Sequence, residues 1–272
     1  MNKVDDNQLH KTDEAKELVR QANDLKNRFP IAPFPACGNL SHMDNLPGAS
    51  VYVRNSDQIS RVLGKRPCQV LDWGCGYGQM TWLLANRGYK VTATDLPGAY
   101  YQHSELLKHP DVTWLSATDP INIDVPSGSF DAVVSSGVLE HAPNIQASMK
   151  ELWRVLKPGG YLFVFRFPNE WSYIEWFGRR TASWHHPIRM TRRELHFLMK
   201  MNSFEVLRMG YDTILPVNCM NPYTLWFRPL RERFHSSFYW LDQILIRFPL
   251  TSFLSPSIWL VARKMADYVE FD

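Results

Sequence analysis

The stretch VLDWGCGYG, residues 70–78, constrains this chain more than any other: a short apolar run, an aspartate, then glycines at alternate positions. A glycine turn leaving a strand lets the backbone approach a ligand closely, as in the dinucleotide- and phosphate-binding folds. The dinucleotide fingerprint spaces its glycines as GxGxxG, but here they are Gly74, Gly76 and Gly78, and the position for the third dinucleotide glycine holds Gln79. A phosphate-binding P-loop fits less well still, because no Gly-Lys-Ser/Thr follows. Asp72 stands at the mouth of the turn, where a pyrophosphate would meet a like charge. The turn therefore favours a ligand without phosphate that is positively charged at this end.

The surrounding pattern supplies the frame for that turn. Short apolar runs at 69–72, 90–94, 112–115, 130–135 and 161–165 read as strands, and 79–87, 100–109 and 145–156 read as helices, the last stopping at Pro158-Gly159-Gly160. Strand and helix in alternation imply right-handed βαβ units and a parallel sheet, with ligands beyond the carboxyl ends of the strands. Asp95, closing the second strand, can accept two ribose hydroxyls at once, and Asp119, after the third, can accept from an adenine amino group. Adenosine, an ammonium and a sulfonium together describe S-adenosylmethionine.

The series VLDWGCGYG, VTATDLPG, ATD, SFDAVVSSGVLEH and LWRVLKPGGYLFV, spanning 67–167, resembles the class I S-adenosylmethionine-dependent methyltransferases. Within that class it resembles the small-molecule group that includes ubiquinone- and menaquinone-biosynthesis-like enzymes. The resemblance implies an α/β, Rossmann-like, seven-stranded, mostly parallel sheet with an antiparallel last strand and helices on both faces. Apolar runs at 204–209 and 258–262 fit the last two strands. It also implies that Asp72, Gly74, Cys75, Gly76 and Gly78 line the methionine side, Asp95 and Leu96 the ribose, Thr118 and Asp119 the adenine, and Ser135, Ser136 and Gly137 the sulfonium region.

Methyl transfer is a displacement that needs acceptor and methyl held in line, and an oxygen acceptor must also lose a proton. His141, after the fourth strand, is the first candidate base, with His185 and His186 next and Arg166 and Tyr173 beside them. The quinone O-methyltransferases of the family carry Glu-x-x-Glu-His at this place, associated with a divalent metal. This chain has Gly137 where the first carboxylate belongs, so no metal is expected. Arg179, Arg180, Arg189, Arg192 and Arg193 form a basic cluster that could hold an anion or simply face solvent.

Residues 1–66 read as an N-terminal helix, with Leu18, Ala22, Leu25 and Phe29 on one face and Thr12 at its start, followed by a proline-rich lid over 29–47. Residues 67–272 read as the methyltransferase domain, with aromatic and basic insertions at 169–190 and 211–257. In the second insertion Trp226, Phe227, Leu230, Phe234, Phe238, Leu241, Leu245 and Phe248 fall three or four apart with arginines between them. That spacing suits a helix on the sheet, or a peripheral membrane contact through 223–248.

The net charge of +3 gives no push toward nucleic acid, the four cysteines form no metal or disulfide spacing, and no segment suits a signal peptide or a membrane span, so a cytoplasmic location is expected. The reading is a methyltransferase acting on an oxygen of a sugar-, quinone- or lipid-like small molecule. A catalytically silent S-adenosylmethionine-binding subunit and a nicotinamide-dependent oxidoreductase are the rivals.

Overall fold

The computed structural model describes residues 6–28, 40–97, 104–180, 186–215 and 228–266. Seven strands, β1 Gln69–Trp73, β2 Lys90–Asp95, β3 Val112–Ser116, β4 Phe130–Ser136, β5 Leu156–Pro168, β6 Phe204–Tyr211 and β7 Ser257–Lys264, form one sheet in the order β3-β2-β1-β4-β5-β7-β6. β1 to β5 pair in parallel, and β7 runs antiparallel to both β5 and β6. This is the Rossmann-like topology with its last strand reversed that the motif series implies.

The strands alternate because the sheet is covered on both faces. Val70, Val91, Val134 and Phe163 point into one core, shared with α1 Asp6–Arg28, α2 Leu46–Leu63 and α3 Gln79–Asn86. Leu71, Val133, Leu162 and Val164 point into the other, shared with α4 Ile145–Val155 and α6 Arg192–Met201. Between these last two helices, α5 Tyr173–Arg180 follows the end of β5.

Three local expectations are corrected. Helix α1 begins at Asp6, so Thr12 is interior to it and does not start it. The stretch to Pro47 is not all irregular: Asn45 caps α2 by accepting from the Gly48 amide at 2.9 Å, and Pro47 fits the first helical turn, where no backbone donor is needed. Pro158-Gly159-Gly160 does not stop a helix. α4 ends at Val155, and these residues form a bulge inside β5, where the pairing with β4 slips between Phe130 and Ala132. Of the helix expected at 100–109, the described residues show one 3-10 turn, Glu105–Leu107. Thr191 does cap α6, in a full capping box with Glu194.

The described residues of the second insertion form three short helices, α7 Arg228–Arg233, α8 His235–Leu245 and α9 Pro249–Ser252, and not the single helix on the sheet that the spacing suggests. Asp242, fully buried, ties them down by accepting from the Ile214 and Leu215 amides and from Arg231 Nη2 at 3.0 Å. α7 packs on α2, and the Arg54 guanidinium lies 4.4 Å from the centre of the Tyr239 ring. Trp226 and Phe227 lie outside the described residues.

Candidate active site at the carboxyl edge of the sheet

β1 delivers Asp72 and the glycine turn to the carboxyl edge of the sheet, and β2 delivers Asp95 beside them. Gly74, Gly76 and Gly78 all have positive φ, and a Cβ on Gly74 would meet Val138 Cγ2 at 2.4 Å, so the turn is folded flat against the β4 loop. The Gly74 and Cys75 amides bond the Thr94 carbonyl, and the Gly76 amide donates to Asp95 Oδ2 at 2.7 Å. Asp95 Oδ1 accepts from the Leu96 amide at 2.7 Å. Each oxygen keeps further acceptor capacity, so the carboxylate both fixes the turn and faces outward from it.

Asp72 is 2% exposed and accepts from Thr81 Oγ1 at 2.6 Å. Burial, with Asp95 adding like-charge repulsion, pushes its carboxyl up to about 7. Burial also raises Asp95, and it raises the Cys75 thiol far enough to keep that group protonated. Two carboxyls raised side by side would be relieved by a cationic ligand.

The adenine-side candidates are placed differently. Thr118 and Leu96 are exposed, and Asp119 is bound into its own turn: it accepts from the Ile121 and Asn122 amides at 2.7 and 2.8 Å, which holds its carboxyl below the usual range. Ser135 and Ser136 end β4, and Gly137 follows with positive φ.

The acceptor side is assembled from distant segments. A bulge in β5 between Val164 and Phe167 puts Arg166 at φ +61°, unusual for a residue with a side chain, and turns its guanidinium to the Tyr52 hydroxyl at 3.1 Å. Burial disfavours its charge, but Tyr52, Asp212 and Glu140 keep it protonated. Glu140 is 2% exposed and burial pushes it up to about 8. His141 lies beside it, lowered by burial and then by its neighbour His186, whose ring centre is 5.4 Å away. Glu175 of α5 bonds His186 twice, Oε2 accepting from the amide at 3.0 Å and Oε1 meeting Nδ1 at 2.6 Å. Burial works against the Glu175 charge, and these His186 contacts outweigh it. Donor atoms of Glu140, His141 and His186 lie within 4.8 Å of one another.

Several buried polar atoms at this edge have no partner among the described residues: Gln79 Oε1, Ser135 Oγ, Ser136 Oγ and Glu140 Oε2. Buried polar groups are normally bonded, so these atoms, from α3, the end of β4 and the turn after it, have hydrogen-bonding capacity that a ligand could use.

Residue by residue, the structure brings Asp72, the three glycines, Cys75, Asp95, Ser135, Ser136, Gly137, His141 and His186 to one edge, while His185 lies outside the described residues. Tyr173 donates to the Ile214 carbonyl at 2.7 Å and so serves the fold. The basic cluster does not converge on one anion: Arg189 and Arg179 pair with Glu170, Arg180 stacks on Trp176, and Arg192 lies over Tyr211. Sequence reasoning missed Tyr52, His42, Glu140 and Glu175. Gln79 Nε2 reaches His42 Nε2 at 3.5 Å. Glu140 had a visible signal, as the acidic neighbour of His141, whereas Tyr52 and Glu175 join the site only through tertiary contacts.

Known proteins share this domain and this fold. Residues 71–164 match the methyltransferase domain family. The ubiquinone biosynthesis O-methyltransferase of Xanthomonas oryzae pv. oryzae is 36% identical over 117 residues, 40% of this chain and 46% of that protein. The chain thus spans about half the length of the curated relative it matches. The 1,6-didemethyltoxoflavin-N1-methyltransferase of Burkholderia thailandensis, solved with S-adenosylhomocysteine, superposes with a TM-score of 0.54 at 16% identity over 92% of this chain and 87% of that one. The cyclase SpnF superposes with a TM-score of 0.56 at 19% identity, over 80% of this chain and 82% of that one. Likeness at these identities establishes the fold.

Proposed function

We propose that this chain, a class I S-adenosylmethionine-dependent methyltransferase by its domain over residues 71–164, transfers a methyl group to an oxygen of a small quinone-like molecule. The observation that carries this reading is the raised carboxyl pair, Asp72 and Asp95, beside buried unbonded polar atoms. A dinucleotide would add negative charge there, whereas the ammonium and sulfonium of S-adenosylmethionine add positive charge. The oxygen acceptor and its quinone-like class follow the ubiquinone O-methyltransferase similarity, and sugar- or lipid-like acceptors fit the same chemistry.

In the proposed reaction the acceptor oxygen attacks the sulfonium methyl, the new C–O bond forms as the C–S bond breaks, and sulfur keeps the electron pair as a neutral thioether. The protein's main contribution is to hold the two reactants in line and near contact. The acceptor proton passes to the His141 imidazole, which is kept neutral near pH 7 by its lowered pKa and is therefore able to receive it. Arg166, aimed into the site by the β5 bulge, stabilises negative charge developing on the acceptor oxygen before attack.

The acceptor's hydrophobic character motivates one partner. Phe234, Trp240, Leu241 and Phe248 are exposed on and around α8, with Trp240 at 69%, and Arg233 and Arg247 are exposed beside them. Such a mixture suits the surface of an anionic membrane that dissolves the acceptor. No described helix is long and apolar enough to cross a membrane. Flotation with anionic vesicles tests the contact: retention lost on Trp240→Ser with Phe248→Ser supports it, and a protein that stays at the bottom of the gradient refutes it.

The silent-subunit reading is the rival to test, because fold alone does not fix function. Incubation with methyl-labelled S-adenosylmethionine and short-chain catechol or hydroquinone acceptors separates the readings. Label in the organic phase that falls at least tenfold in His141→Ala supports methyl transfer through this base. Tight cofactor binding with no label in any acceptor favours the silent subunit.

A further inference from the structure

We infer that Arg54, on α2, determines specificity for the acceptor by taking a carboxylate which that molecule carries apart from the oxygen to be methylated. The inference rests on the function proposed above and names a charge that its acceptor must bear.

A guanidinium offers five N–H donors, and inside a protein they are normally met by carboxylates or carbonyls. Arg54 is half-buried, and among the described residues it makes no hydrogen bond and no ion pair. It lies over the Tyr239 ring of α8, 4.4 Å from the ring centre, which holds the group in place without supplying an acceptor atom. Burial disfavours its charge, and Asp212 and Asp242 are the carboxylates within electrostatic reach that sustain it. Neither closes on it. Asp242 is taken up by Arg231 and by the Ile214 and Leu215 amides, and Asp212, raised by its own burial, is shared with Arg166.

Charge is out of balance around Arg54. The guanidiniums of Arg54, Arg166 and Arg231 face the carboxylates of Asp212 and Asp242, while Glu140, pushed up to about 8 by burial, holds its proton at neutral pH. One positive charge is left over in a region largely shielded from water, where an uncompensated charge is costly. Arg231 shows the same excess: its Nε and Nη1 are buried with no hydrogen-bond partner among the described residues. The sequence between Leu215 and Arg228 contains no Asp or Glu that could answer it. A single carboxylate on a ligand would neutralise the surplus and match the fork of Arg54 with two parallel hydrogen bonds, whereas a phosphate dianion would overshoot the charge.

Helix α2 also fixes where that carboxylate stands relative to the chemistry. Tyr52, on the same helix, bonds Arg166 at 3.1 Å, and Arg166 is the guanidinium that faces the reacting oxygen in the reaction proposed above. The helix thus steadies the cation at the reacting oxygen and presents a second one to another part of the same molecule, so neither group serves twice.

Calorimetry on the full chain loaded with S-adenosylhomocysteine tests the site with 3,4-dihydroxybenzoate and with its methyl ester, which keeps the ring and both hydroxyls and removes the charge. The expected result is one equivalent of the acid, bound by the wild type about tenfold more tightly than the ester, or better. Arg54→Gln should remove that preference, and Arg54→Lys, which keeps the charge but loses the fork, should retain only part of it. Circular dichroism shows whether each variant is folded, and the wild-type comparison of acid with ester needs no variant. Equal affinities for acid and ester in the wild type, no binding of either, or a preference as large in folded Arg54→Gln or Arg54→Lys as in the wild type would each overturn the inference. Binding of S-adenosylhomocysteine, measured first, separates such a failure from a failure of the methyltransferase reading, which would already show at that step.

Discussion

Asp72 sets the most specific expectation at the scale of single residues. Its folded pKa stands near 7, far above the ordinary aspartate value, so the folded state holds a proton that the unfolded chain has released. The sign follows: between about pH 4 and 7 the unfolded state binds fewer protons, and stability of the unliganded protein falls as pH rises through that window. Asp72→Asn should remove that part of the slope and raise the melting temperature at pH 8 relative to wild type. A cationic ligand favours the ionised form, so affinity for S-adenosylmethionine should rise between pH 6 and 8, with proton release on binding. Calorimetry in two buffers of different ionisation enthalpy measures the release; none near pH 6.5 would contradict the charge argument.

Gly74 carries the second residue-scale prediction. Gly74→Ala imposes a positive φ on a side chain, costing about 1–2 kcal/mol, and drives its methyl into Val138. Cofactor affinity should drop at least tenfold, and Val138→Ala should recover part of it in the double variant. Equal affinities in the single and double variants would mean that contact with Val138 plays no part. Much of this site was readable because its residues adjoin in sequence: the glycine spacing and Asp72 lie within one turn. Tyr52 and Glu175 were not readable, since nothing local to either distinguishes it from an ordinary helical residue.

Local rules succeed where an element is stabilised by its own residues and fail where tertiary contacts decide. The capping box of α6 is of the first kind, with Thr191 and Glu194 bonding each other's backbone. Thr191→Ala should cost about 1 kcal/mol in chemical denaturation without changing activity, and no loss of stability would show that the cap is redundant with packing. Helix α2 is of the first kind as well: Asn45 accepts from the Gly48 amide and so places Pro47 in the first turn. The bulge at Pro158-Gly159-Gly160 is of the second kind, because the Cβ position of Gly160 lies 3.1 Å from the Asp131 carbonyl of the neighbouring strand, a close approach that periodicity does not reveal.

The whole molecule joins a sheet whose topology follows from strand and helix alternation to appendages that do not follow from it. The seven strands were legible as apolar runs in chain order, whereas the reversal of β7 followed from the family resemblance alone. The packing of α7 on α2 was not, since spacing along one helix cannot say which surface receives it. The N-terminal helix is part of the same body: Ala15, Leu18, Ala22 and Leu25 are buried, and Arg87 after α3 pairs with Glu14 and Asp57 at 3.0 Å. Removing residues 1–28 should therefore expose apolar surface on α2 and α3 and lower the melting temperature by several degrees, with dye binding as the check. An unchanged melting curve would show that the helix is a detachable arm.

In the function proposed above, two raised carboxyls beside a flat glycine turn select a sulfonium methyl donor. Titration of the folded chain with S-adenosylmethionine and with S-adenosylhomocysteine in a calorimeter tests it most directly, with Asp95→Asn as the comparison. The account predicts one equivalent of each ligand bound, the cationic donor at least as tightly as its product at pH 8, and at least a tenfold loss for both in Asp95→Asn, through the ribose hydroxyls that carboxylate accepts. A folded wild-type protein that releases no heat with either ligand would contradict it.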